Sequence, residues 1–199
     1  MKNSDFTIVL DNGHGVNTPG KRSPVWSDQP QLLEWEWTRD LVQYIIPKLT
    51  DLGFAHRILV PELRDICLTT RCERANRLMT TRPHSILISI HGNAAGVEAA
   101  KGFEIFSSPG ITESDKVAEA ILDRAAETGL FKMRYDPTHP YKNKEEKFKI
   151  LTGTTGNAIL IEAGFYTNHD ECDFMMSIEG KNLIASIIAE GLNNYVKTL

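Results

Sequence analysis

Three short apolar runs in this chain end in the same way, and that repetition constrains the fold more than any other feature. Phe6-Thr7-Ile8-Val9-Leu10 leads into Asp11-Asn12-Gly13-His14-Gly15, Ser85-Ile86-Leu87-Ile88-Ser89-Ile90 leads into His91-Gly92-Asn93-Ala94, and Asn157-Ala158-Ile159-Leu160-Ile161 leads into Glu162-Ala163-Gly164. Aliphatic and β-branched runs of this length read as buried strands. The glycines after them permit tight turns and close approach of backbone to a ligand. Helical periodicities separate the runs, and strands alternating with helices imply an α/β fold built on a mostly parallel sheet of about six strands flanked by helices. In such a sheet the strand ends lie along one edge, where α/β proteins place their sites. His14, His91 and Glu162 are therefore expected to meet.

The intervening elements follow from local pattern. Leu41, Ile45, Leu49 and Leu52 recur on one helical face, which predicts a helix over 33–52 with Pro47 as a potential kink and Gly53 as its C-cap. Further strands are expected over 54–60, 102–107 and 147–151. Further helices are expected over 69–82, 113–128, 171–176 and 180–196. Two long polar loops, 16–31 and 131–146, exceed the usual connection length, and such loops are often functional.

Two histidines can hold a zinc ion, but a catalytic zinc usually has three protein ligands and one open position. Glu34 and Glu36, at the start of the first helix, are the nearest candidates for the third ligand. Glu34 shares the inward face of Leu41, Ile45 and Leu49, whereas Glu36 shares a face with Asp40 and Gln43. A carboxylate on a core face is costly unless paired or metal-bound, which favours Glu34 as the third ligand. Trp26, Trp35 and Trp37 are read as core or loop anchors rather than sugar platforms. His56, His84, His139 and His169 are assigned structural or solvent roles, with His139 the one whose loop could reach the site. Arg71 is expected to cap or brace its own helix.

Composition narrows the class. The chain has 199 residues, 41% of them apolar and 24% charged, which suits one domain with a sizeable core. A net charge of −4 offers no broad basic surface for nucleic acid. No apolar span reaches the ~18 residues of a membrane helix, so no membrane insertion is expected. Cys67, Cys72 and Cys172 form no CxxC pair, and they are expected to be small, buried or half-buried residues. The first residues lack the apolar region of a secretory signal.

Taken in order, Asp11-Asn12-Gly13-His14-Gly15, Glu34 ahead of an amphipathic helix, Ser89-Ile90-His91-Gly92-Asn93-Ala94 and Leu160-Ile161-Glu162-Ala163-Gly164-Phe165-Tyr166-Thr167-Asn168 resemble the zinc-dependent N-acetylmuramoyl-L-alanine amidases of the Amidase_3 type. Asp65 to Asn76 resembles the family's segment before the second histidine. The resemblance spans essentially the whole chain. It implies Zn2+ held by His14, Glu34 and His91, with Glu162 as the catalytic acid–base residue. Asn93 and Arg22 are candidate substrate contacts. Asn12, Gly92 and Thr38 depart from the family's usual residues without removing a ligand. The 71 residues between His91 and Glu162 are filled by expected strands, a helix and a loop, leaving no room for the autoinhibitory insert of some members.

The resulting expectation is a single catalytic domain over 1–199, without a cell-wall-binding module and acting as a monomer, that cleaves the amide between N-acetylmuramic acid and L-alanine in peptidoglycan. Its place of work is the periplasm or cell wall, reached after signal trimming, by another export route, or by release at lysis as with phage endolysins. Two alternatives stay open from sequence. One is another zinc amidohydrolase or deacetylase on this scaffold, and the other is a non-catalytic wall-binding protein.

Overall fold

The computed structural model describes residues Met1–Leu199 and is organised by a six-stranded sheet. Its strands are β1 (Thr7–Asn12), β2 (Ala55–Ile58), β3 (Ser85–Asn93), β4 (Glu104–Ser107), β5 (Lys144–Glu145) and β6 (Asn157–Phe165), in the order β2-β1-β3-β6-β4-β5. The helices are α1 (Glu34–Asp51), α2 (Leu68–Thr81), α3 (Glu113–Glu127), α4 (Lys149–Thr152), α5 (His169–Met176) and α6 (Ile178–Lys197). The three runs singled out in the sequence become β1, β3 and β6. They lie side by side and parallel, with Leu10 beside Ile88 and Ile88 beside Ile159.

Alternation along these strands divides the core into two layers, because successive side chains leave opposite faces of a sheet. Ile8, Leu10, Ile86, Ile88, Ile90, Ile159 and Ile161 face a larger core with residues of α1, α3 and α6. Val9, Leu87, Ala158 and Leu160 face a smaller one with Cys72, Ala75 and Met79 of α2. A sheet covered on both faces explains why its central strands read as continuous apolar runs. α1 continues through Pro47 to Asp51, so the proline does not end the helix.

Two local expectations fail. Residues 147–151 do not form a strand; Lys149–Thr152 is a helical turn, α4. Ile150 and Leu151 are both buried in the same small core under α2, which adjacent residues achieve in a helical turn and not in a strand. The sixth strand is instead the two-residue β5, inside the expected 131–146 loop, where Phe106 pairs with Lys144. β4 runs antiparallel to β6, the one reversal in an otherwise parallel sheet.

Candidate metal centre and active site

His14, Glu34 and His91 converge where β1, β3 and α1 meet. β1 ends at Asn12, and Gly13 then donates its N–H to the Ile90 carbonyl at 3.1 Å, which holds the turn against β3. His91 lies in β3, in register with Glu162 of β6. Glu34 is the first residue of α1, and its N–H donates to the Lys21 carbonyl at 3.0 Å, tying the first long loop to the helix start. His91 Nδ1 lies 3.0 Å from Glu34 Oε1, which also accepts the Gly92 N–H at 3.2 Å. His14 Nε2 lies 3.3 Å from Glu34 Oε2. The imidazoles meet edge-on with centroids 4.9 Å apart. One potential ligand atom from each of these residues falls within 4.8 Å of the others. Glu36 is exposed, as its helical face implied.

The glycines beside His14 allow this approach. A Cβ at Gly13 would lie 2.4 Å from His91 Cε1, and one at Gly15 would lie 2.0 Å from the Asp65 nitrogen. His14 itself has φ +62°, a left-handed conformation that costs a non-glycine residue about 1–2 kcal/mol. Thr38, one of the departures from the family pattern, donates its hydroxyl to the Gly13 carbonyl at 3.1 Å and so anchors the same turn.

The donor set fits a divalent cation. Glu34 is 1% exposed, and burial pushes its carboxyl upward, but the adjacent His14 and His91 imidazoles overcome this and hold it near 2. Its Oε2 is buried without a well-formed hydrogen bond even though His14 Nε2 is near. A buried carboxylate oxygen in that state, facing two imidazoles, is what a bound cation satisfies. Borderline-soft zinc takes this N,N,O set. A cavity of about 330 Å³ lined by His14, His91, Asp65 and Cys67 opens onto the imidazoles. A larger groove of about 720 Å³ runs along Trp35, Arg39 and Leu63 and contains none of His14, Glu34 and His91, so donor chemistry rather than size locates the candidate site.

Glu162 stands beside this set with the opposite protonation preference. Burial raises its carboxyl to about 8; nearby His91 opposes the shift, while Glu34 and Glu104 reinforce it. Its Oε2 is likewise buried without a partner. A carboxyl with its pKa near neutrality is suited to take and return a proton. Tyr166, not singled out by sequence beyond its place in the last motif, is buried nearby, and burial together with Glu34 and Glu162 pushes its phenol upward.

The remaining candidates separate. Asn93 Nδ2 donates to Glu104 Oε1 at 2.5 Å and its Oδ1 accepts the Ala94 N–H at 2.8 Å, so its amide is engaged within the protein. Arg22 is exposed in the first loop, where its backbone bridges to Leu33. His139 pairs with Glu145 at 3.0 Å within its own loop. Trp37 is buried and donates its indole N–H to the Met175 carbonyl at 2.8 Å, and Trp26 packs edge-on against His169. Cys72 and Cys172 are buried, but Cys67 is exposed because it occupies the N-cap of α2. Arg71 does more than brace the segment leading into α2, where its Nε donates to the Ile66 carbonyl at 2.7 Å: its guanidinium also reaches the end of β1 and the His14 turn.

A parallel α/β sheet carrying a His–Glu–His cluster and a near-neutral carboxyl at its strand ends defines an enzyme with a possible metal-binding triad. The family model described as N-acetylmuramoyl-L-alanine amidase, Amidase_3, matches residues 8–194, and the chain belongs to that family. Its activity is that of a peptidoglycan amidase. Among solved structures, an N-acetylmuramoyl-L-alanine amidase from Clostridium difficile 630 is 23% identical with a TM-score of 0.83, covering 97% of each chain. The amidase Ami1 from Mycobacterium smegmatis is 20% identical with a TM-score of 0.79, covering 100% of each chain. AmiC2 of Nostoc punctiforme is 20% identical with a TM-score of 0.79, covering 97% of this chain and 98% of that one. These likenesses establish the shared fold. No curated protein sequence matches significantly. No helix is long and apolar enough to cross a membrane.

Proposed function

We propose that His14, Glu34 and His91 bind zinc and that Glu162 moves the protons in hydrolysis of the amide between the lactyl group of N-acetylmuramic acid and L-alanine. The observation that carries this reading is the convergence of the three ligand atoms within 4.8 Å, with Glu162 in register beside His91. Zinc bound there supplies Lewis acidity that polarises a carbonyl oxygen and brings the pKa of water to about 7. The Glu162 carboxylate accepts a proton from the attacking water and returns it to the departing L-alanine nitrogen, so the C–N bond breaks with a neutral amine leaving. His91 Nδ1 and Glu34 Oε1 lie 3.0 Å apart, and the Gly92 N–H steadies the Glu34 carboxylate. The chain acts on peptidoglycan in the periplasm or cell wall, as a monomer and a single catalytic unit.

The test is digestion of purified peptidoglycan, with products read by mass spectrometry. Stem peptides beginning with free L-alanine are expected from the wild type, activity is expected to fall on chelation, and zinc is expected to restore it. Release of acetate or of another amide product instead would assign the site to a different hydrolysis. Glu162→Gln is expected to bind zinc with the wild-type stoichiometry while kcat falls by about 10²–10⁴. His14→Ala is expected to lose the metal by elemental analysis. Full activity in Glu162→Gln would remove the role assigned to that carboxyl.

A further inference from the structure

The His14 turn is held from beneath by two guanidinium groups that the amidase reaction does not itself use. Arg71, in α2, is 3% exposed. Its Nε donates to the Ile66 carbonyl at 2.7 Å, and Nη1 donates to Asp11 Oδ1 at 2.6 Å and the Asn12 carbonyl at 2.9 Å. Nη2 donates to the His14 carbonyl at 3.2 Å and to Asp65 Oδ1 at 2.8 Å. An arginine has five N–H donors, and here each has an acceptor. Arg39, in α1, donates through Nη2 to the same His14 carbonyl at 3.1 Å and to the Glu62 carbonyl at 2.8 Å. Its Nη1 donates to the Trp35 carbonyl at 2.8 Å. The Asp11 carboxylate that receives Arg71 is fixed from the other side by the Ser89 hydroxyl at 2.7 Å.

We propose that Arg71 and Arg39 are positioning residues of the metal centre, gripping the His14 carbonyl so that a non-glycine residue holds the left-handed turn that aims its imidazole at Glu34. Three facts converge on this role. His14 is the only non-glycine residue with positive φ, so its backbone needs an external hold. Its carbonyl is the one acceptor that the two guanidiniums share. The two arginines come from different helices, so the grip sets the His14 loop against α1, which carries Glu34, and against α2. Charge alone does not reproduce it: a lysine has three donors on a single nitrogen and cannot span five acceptors arranged around a planar fork.

The proposal rests on the reading of His14 as a ligand, and the experiment separates the two. Zinc dissociation constants, by competition with a chromogenic chelator, are compared among wild type, Arg71→Lys, Arg39→Gln and His14→Ala, each first shown to be folded without metal by circular dichroism. Both arginine variants are expected to bind zinc at least tenfold more weakly, in the range seen when groups supporting metal ligands are removed. They are also expected to alter the visible absorption of the cobalt(II)-loaded protein, and to lower kcat with KM within about twofold, a split that marks lost transition-state stabilisation. Folded variants with wild-type zinc affinity and an unchanged cobalt spectrum would overturn the proposal while leaving His14 as a ligand. Wild-type zinc affinity in His14→Ala would overturn the ligand reading itself. Should Arg71→Lys fail to fold, Arg39→Gln decides alone, since Arg39 is only half-buried.

Discussion

Glu34 and Glu162 share one site and prefer opposite protonation states, and this has a measurable consequence in the metal-free protein. Glu162 is raised to about 8, so its contribution is fully present while it is protonated below the unfolded value near 4.5 and is lost as pH rises towards 8. His91, raised despite its burial by Glu34 and Glu162, adds in the same direction. Glu34, held near 2, contributes above 4.5 and loses its share only as pH falls towards 2. The metal-free protein is therefore expected to lose stability by a few kcal/mol between pH 5 and pH 8. Glu162→Gln, which cannot ionise, is expected to flatten that slope in thermal denaturation after chelation. A variant with the full wild-type slope would show that Glu162 is not its source. Zinc at the proposed site is expected to reverse the trend, because its ligands must be deprotonated and its affinity therefore rises with pH.

At this scale the sequence was informative where a residue's role depends on its own element. Glu34 was separable from Glu36 because helical phase puts it on the face of Leu41, Ile45 and Leu49, and that phase survives folding. Arg39 and Arg71 were not legible as supports of His14. Their shared partner is a backbone carbonyl, which has no residue identity, and it is brought to them across 25 and 57 positions of chain. Asp11 was visible only as a residue of the turn, and its partners Arg71 and Ser89 come from α2 and β3.

Among the elements, the sheet's central strands were readable because burial on both faces makes them continuously apolar. The reversal of β4 was not, since the direction of a short strand is set by its pairing with β6 rather than by its composition. The turn at α4 is not legible in the sequence because Lys147-Phe148-Lys149-Ile150-Leu151 is too short to separate a strand from a helical turn, and only the packing of Ile150 and Leu151 on α2 does so. Helix packing behind the sheet supplies a further prediction. A Cβ at Gly191 of α6 would lie 2.6 Å from the Ile121 Cα of α3, a backbone atom that cannot turn aside. Replacing a helical glycine by alanine gains up to about 1 kcal/mol in propensity, while overpacking typically costs about 1–3 kcal/mol. Overpacking wins, so Gly191→Ala is expected to lower the melting temperature. Ile121 and Gly191 lie outside the proposed ligand set, so zinc affinity is expected to stay at the wild-type value; a stabilised variant would mean that α3 and α6 can separate without loss.

For the molecule as a whole, the proposed metal site sits where β1, β3 and α1 meet, so binding there would be linked to global folding. Zinc free at about 100 times its dissociation constant stabilises the native state by about 2.7 kcal/mol when the unfolded chain does not bind it. In a chain of this size 1 kcal/mol shifts the melting temperature by about 2–4 °C, so adding zinc to the chelated protein is expected to raise it by about 5–10 °C. His14→Ala removes one proposed ligand, and its melting temperature is expected to be nearly independent of zinc. Gly191→Ala starts lower, yet its zinc-induced shift is expected to match the wild type, because distant sites that share no partner contribute additively. Calorimetry on the three proteins with and without zinc tests this directly. A reduced shift in Gly191→Ala would mean that packing between α3 and α6 is transmitted to the proposed ligands through the core these helices share with α1.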